Sequence, residues 1–238
     1  MPARATWTQH HDGLWTVEKD NALPGGLHFG VRMAVAKLPD GTLWLHSPIA
    51  IDAELAAQID DLGAVSHIIA PNLFHNAWAG DAKKRYPNAT LHGPAALRAK
   101  KKDIPLDAEL GQPHDDWGDL FAVQGLRGAP MVDEFVFLHR PSKTLITTDM
   151  VFNIVAPKNV QTRVLMWMVG CSGSCQMSRS WKHFFARDKA ALGDDIVNVL
   201  KWDFDRVTMC HGDVIETGGK AVVMEAARWI VPSKLLPA

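Results

Sequence analysis

Residues 29–38 and 42–45 carry the apolar and β-branched runs expected of strands, and Pro39-Asp40-Gly41 between them supplies a tight turn, so a β-hairpin is predicted. Asp52 stands where a helix cap belongs. Leu55, Ile59 and Leu62 follow at helical spacing, and Gly63 is placed to end the helix. A short buried strand over 65–70, a helix over 76–85, a strand over 90–92 and a helix opening at Pro94 continue the alternation. The pattern then returns to strands at 120–123, 134–139 and 144–148. A helix containing Leu192, Ile196, Val199 and Leu200 follows, then a strand over 206–209 and a terminal helix with Val222, Ala226, Trp229 and Ile230 on one face. Hairpin followed by strand and helix alternation occurs twice. That order predicts an α/β fold, a four-layer αββα sandwich of two mixed β-sheets flanked by helices, with residues 1–238 as a single domain.

Composition narrows the function classes. The chain of 238 residues has 25 Lys and Arg against 26 Asp and Glu. A net charge of −1 provides no overall field to recruit nucleic acid or an anionic membrane, so neither partner is expected. The cluster of Arg98, Lys100, Lys101 and Lys102 reads as a solvated helix end. Three cysteines, Cys171, Cys175 and Cys210, make no disulfide framework, and no apolar run approaches the length of a bilayer span. A cytoplasmic protein is expected, with a small molecule as ligand or substrate and self-association as a further use of an apolar surface. Cys171-Ser172-Gly173-Ser174-Cys175 lacks the final glycine of a nucleophile elbow and reads as a flexible thiol-bearing loop. The adjoining apolar run 164–169 reads as a cleft wall or an oligomer contact.

Candidate chemistry gathers at strand ends. The strand over 206–209 runs into Cys210-His211-Gly212, and a glycine after His211 lets the backbone turn so that the imidazole projects over a sheet rim. The strand over 144–148 runs into Asp149. Alone, His211 fits a hydrogen-bonded turn and Asp149 a cap; on one rim they point to a cleft. His46 ends another strand near that rim and is placed to support a ligand by a hydrogen bond. His67, His92, His183, His10, His11, His28 and His114 have no ligand-like companions and read as structural or surface residues.

With these residues in place, the chain resembles the metallo-β-lactamase-fold superfamily over roughly residues 30–231. In that superfamily a strand ending in Asp supplies a bridging metal ligand, and a strand ending in His-Gly supplies another. The similarity is to an uncharacterised branch carrying a Pro-Asn-x-x-His element, here Pro71-Asn72-Leu73-Phe74-His75, with His139-Arg140-Pro141-Ser142 before the Asp strand. Where the superfamily has its His-x-His-x-Asp-His cluster, this chain has Asn72, Phe74, Asn76 and Ala77. Positions 128–131 read Gly-Ala-Pro-Met where a later His belongs.

The resemblance implies Asp149 and His211 as catalytic residues and metal ligands; His75, a displaced neighbour on the Asn72 loop, and Glu134, on the strand before Asp149 with its side chain turned either to the site or to solvent, are the further candidates to hold one divalent zinc, manganese or iron ion. The activity it implies is metal-dependent hydrolysis of a small ester, amide, thioester or phosphoester. The alternative is a metal-free protein of the same fold that binds a small molecule or a protein partner. A diiron redox site would need more His and carboxylate ligands than the sequence offers.

Overall fold

The computed structural model describes residues 4–23, 26–111 and 117–232. A seven-stranded sheet comes first, in the spatial order of the sequence: β1 (Thr6–His11), β2 (Leu14–Leu23), β3 (Leu27–Lys37), β4 (Leu43–His46), β5 (Val65–Ile69), β6 (Thr90–Gly93) and β7 (Ala108–Glu109). Strands β1 to β4 pair antiparallel and β4 to β7 parallel. The parallel part needs crossovers, supplied by α1 (Ala53–Leu62), α2 (Ala79–Arg85) and α3 (Ala95–Lys100). The second sheet, from β8 (Phe121–Gly125), β9 (Phe135–His139), β10 (Thr144–Ile146) and β11 (Arg206–Thr208), has the order β11-β10-β9-β8. Helices α4 (Val160–Val169), α5 (Lys189–Leu200) and α6 (Gly219–Ala226) complete the described elements, with a π-helical turn at Trp181–Phe185.

Strand alternation sorts the apolar residues into layers. On β4, Leu43 and Leu45 face outward against Leu55 and Ile59 of α1, while Trp44 faces inward. On β9, Val136 and Leu138 meet Leu192 and Ile196 of α5, while Phe137 faces Trp44. Trp44, Trp117, Phe121 and Phe137 therefore fill the space between the sheets, with Trp44 stacked on Phe121 at 4.4 Å. Two mixed sheets between outer helices are the predicted αββα sandwich. Among the described residues no helix is long and apolar enough to cross a membrane.

The element limits move in instructive ways. Strand β10 ends at Ile146, so Asp149 sits three residues beyond it, on a loop. The helix expected over 76–85 begins only at Ala79. The hairpin expected to open the fold is preceded by β1 and β2, which the sequence analysis did not anticipate. Polar residues such as Glu18 and Lys19 blur the alternation of β2, and their charges are answered by Arg32 and Asp52. The Asp12-Gly13 turn, with Gly13 at a φ of 89°, is the signal that marked that hairpin. Helix α4 was likewise read only as an apolar run; Asn159 caps its start by accepting from the Thr162 N–H, and Gly170 ends it in the left-handed conformation. Cys171 and Cys175 lie on the loop after α4 but are buried, and burial pushes both thiols up to about 12. His114 lies outside the described residues.

His139 ends β9 with Nδ1 2.7 Å from Ser142 Oγ and its ring against Phe121. Burial, with the charge of His11 adding to it, lowers its pKa from 6.5 to about 4. The unfolded chain therefore takes up a proton at this residue before the folded chain does. Its contribution to stability is complete above about pH 6.5 and is lost as the pH falls through about 4, by up to about 3 kcal/mol. Urea unfolding across that window should show a smaller loss for His139→Gln than for the parent; equal losses would refute the assignment.

Candidate metal centre

Strands β10 and β11 are parallel neighbours, with Thr144 opposite Arg206 and Ile146 opposite Thr208. Their C-terminal ends thus share one rim, and the Thr147 N–H donating to the Thr208 carbonyl at 2.9 Å carries the pairing past the strands. Asp149 and His211 emerge from these two ends. The loop after β5 approaches from the other sheet and brings His75. The ligand atoms of His75, Asp149 and His211 all lie within 4.8 Å of one another. Nε2 of His75 is 3.3 Å from Asp149 Oδ1, and the two imidazole rings are 5.0 Å apart. The convergence expected of these three residues is what the fold produces.

Each of the three is oriented by a second partner. His211 Nδ1 is 2.8 Å from the Gly30 carbonyl, which can only accept, so Nδ1 carries the proton and Nε2 is left with a lone pair. The His211 ring stacks on Phe152. Gly212 at a φ of 93° packs so closely on Asn153 that a Cβ would collide with its carbonyl, which explains the glycine after His211. His75 Nδ1 meets Ser47 Oγ at 3.1 Å, and the Cys210 thiol donates to the same hydroxyl. Asp149 Oδ2 accepts from the Asn72 amide at 2.8 Å, and the Asp149 carbonyl accepts from the Trp181 indole.

Glu134 does not join this group. It is fully buried, and its carboxylate accepts from the backbone N–H groups of Thr148 and Asp149, at 2.7 Å for Thr148. The buried carboxylate terminates the loop from behind and positions Asp149 through the backbone. Burial, with Asp149 adding to it, pushes Glu134 up to about 7. His46 is also buried, stacked on Trp44, and its Nε2 has no partner among the described residues; burial takes it down to about 3. His46 makes no bond to any of the three.

The electrostatics separate the roles. Burial disfavours charge on Asp149, but the His75 imidazolium outweighs it and holds the carboxyl at about 2. His75 is conversely raised well above its ordinary value because Asp149 overcomes the cost of burial. Burial and the neighbouring His75 lower His211 to about 4, which leaves it neutral at pH 7 with its lone pair available. In the absence of a cation, the group is an ion pair beside a neutral imidazole.

Sequence reasoning missed the clip that holds the loop. Asn72 Oδ1 accepts from the N–H groups of Phe74 and His75, at 2.8 and 2.6 Å, while its amide donates to Thr148 Oγ1 and Asp149 Oδ2. An Asn whose oxygen bonds the backbone two and three residues on is a turn signature, readable before the structure was known. Arg32 of β3 is the other unforeseen support: it donates to the Met209 carbonyl at 2.6 Å, and its N–H to the Cys210 carbonyl, tying the first sheet to the His211 segment. Replacing Asn72 by Ala strands two part-buried N–H groups and frees Asp149. Asn72→Ala should cost about 2–3 kcal/mol in urea unfolding, against no more than about 0.5 kcal/mol for Phe74→Ala, whose side chain is exposed on the same loop. Equal small effects would show that the clip does not hold the loop.

Comparisons with known proteins fit this geometry. No curated protein matches the chain. Among solved structures, the metallo-β-lactamase FIM-1 from Pseudomonas aeruginosa, in its mono-zinc form, aligns with a TM-score of 0.64 at 11% identity, over 97% of this chain and 98% of that one. The metallo-β-lactamase from Hirschia baltica aligns with a TM-score of 0.66 at 10% identity, over 96% and 99%. The flavodiiron core of Flv1 from Synechocystis sp. PCC6803 reaches a TM-score of 0.68 at 9% identity, over 97% and 62%. At such identities the likeness concerns the fold alone. Residues 11–165, which include Asn72, His75, Glu134 and Asp149, match the family described as a domain of unknown function, DUF4336. The chain belongs to the DUF4336 family and has the metallo-β-lactamase fold.

Proposed function

We propose that the chain is a metal-dependent hydrolase built on one divalent cation, held by His75, Asp149 and His211, and acting on a small ester, amide, thioester or phosphoester. The observation that carries this reading is the convergence of three donor atoms from three separate chain segments within 4.8 Å, each residue steadied by its own hydrogen bond. Two imidazoles and one carboxylate suit zinc, iron(II) or manganese. Such a cation supplies Lewis-acid polarisation of a substrate oxygen and acidifies a water to a nucleophile. The protein contributes the orientation: Gly30 fixes the tautomer of His211, Asn72 aims Asp149, and Ser47 sets the ring of His75. A cavity of about 80 Å³ lined by His211, Gly30, Phe29, Ile154 and Lys158, but not by His75 or Asp149, adjoins the three donors rather than enclosing them.

A second reading has its own support. The His75–Asp149 ion pair satisfies both charges without a cation, which favours a metal-free binding protein. Elemental analysis and thermal unfolding separate the two. With a cation, purified protein should hold about one equivalent, and a chelator should lower the midpoint, since about 2.7 kcal/mol of stability accompanies a ligand at 100 times its Kd. His211→Ala should remove the metal, the chelator effect and the hydrolysis of simple ester, thioester and phosphoester probes. An unchanged midpoint with chelator and with added zinc, manganese or iron(II) would leave the metal-free reading standing.

A further inference from the structure

After Asp149 the next acidic residue in the chain is Asp188. Residues 150–187 hold Lys158, Arg163, Arg179, Lys182 and Arg187, so this stretch carries +5, and the rest of a chain with a net charge of −1 carries −6. The overall near-neutrality therefore conceals a segregation of charge. Lys158 is paired with Asp20. Arg163 and Lys182 are exposed and have no acidic partner among the described residues.

The same stretch also contains the most exposed large apolar side chain of the described residues, Trp167, at 67%. Helix α4 is apolar on two faces. Its inner face, with Thr162 and Met166, packs on Ile154, Cys171 and Phe152, and Thr162 Oγ1 accepts from the His28 N–H of β3. Its outer face presents Val160, Val164, Trp167 and Met168, spaced i, i+4, i+7 and i+8, all about half exposed or more. Arg163 lies among them, and Arg179 is held at the end of the helix by a bond to the Met168 carbonyl. Ordinary amphipathic helices put charge on the solvent face; this one puts Trp, Met and Val there, flanked by cations.

We propose that the outer face of α4 docks on the surface of an anionic phospholipid bilayer. An interfacial helix needs apolar residues to enter the acyl boundary, an aromatic residue at headgroup level and cations for the phosphates, and α4 with its flanks supplies all three. A second copy of the chain fits less well. A two-fold contact through this face would gather Arg163 and Arg179 of both copies into one seam, and the segment itself holds no acidic residue to pair them. Because Phe152 packs beneath α4 and stacks on His211, docking would hold the candidate centre close to the lipid surface.

Co-sedimentation of the full chain with vesicles of phosphatidylcholine, with and without phosphatidylglycerol, tests the proposal. Binding is expected only to the anionic vesicles and should weaken with salt. Arg163→Gln should bind about five-fold more weakly, and Trp167→Ser at least about ten-fold more weakly. Both should keep the thermal midpoint of the parent, since both side chains point outward. No binding, equal binding to both vesicle types, or binding indifferent to Trp167→Ser would each overturn it. A dimer in light scattering that Trp167→Ser dissolves, without vesicle binding, would assign the face to a second copy.

Discussion

The parallel pairing of β10 with β11 is the constraint on which the site depends. Two strands separated by some sixty residues can deliver side chains to one point only if they run the same way and end together, and the Thr147–Thr208 bond extends that pairing to the rim. An antiparallel pair would have sent Asp149 and His211 to opposite ends of the molecule. The long crossover that parallel pairing requires contains α4, the π-helical turn and α5. Trp181, within that crossover, returns to donate to the Asp149 carbonyl, so the connection that makes the pairing feasible also steadies its product.

The seven-stranded sheet reaches this rim through polar contacts. The Arg32 guanidinium donates to the Met209 carbonyl and its backbone N–H to the Cys210 carbonyl, while the loop after β5 is stitched to the Asp149 loop by Asn72. Buried groups of this kind are costly when unpaired, so their pairing fixes one arrangement of the two sheets. Two carboxylates lie close here, and burial cannot tolerate both charged. Asp149 keeps its charge through His75, and Glu134 shifts toward neutrality.

The layers were legible because strand alternation and helical spacing are local properties. Trp44 between Leu43 and Leu45 announces its own face, and Leu55 and Ile59 announce theirs. His211 was legible because the following glycine has a steric reason that shows in sequence. Glu134 was misassigned because its placement, inward and behind the loop, follows from a packing that no single segment encodes. The first two strands escaped notice because long-range partners, Arg32 and Asp52, neutralise charges that locally argue against a buried strand. The apolar run of α4 was visible, but its direction was not: period 3.6 fixes which residues share a face, and only the tertiary fold decides which face is covered.

Asn72 bears directly on how Asp149 presents its two oxygens at this rim. Its side-chain oxygen accepts from two backbone N–H groups, which fixes the amide orientation and leaves the nitrogen as donor to Asp149 Oδ2. A carboxylate that bridges two metal ions must offer one lone pair to each from its two oxygens or from one. Here Oδ2 is engaged by an N–H, and Oδ1 is the oxygen that faces His75. The residue standing where the superfamily resemblance expects a histidine thus occupies one lone pair of Asp149 Oδ2, while Oδ1 is turned toward His75. A second cation would also find Asn76 buried and donating its amide to the Asn72 carbonyl rather than a carboxylate. The substitutions on this loop do more than remove ligands: they supply the hydrogen bonds that hold the remaining donors.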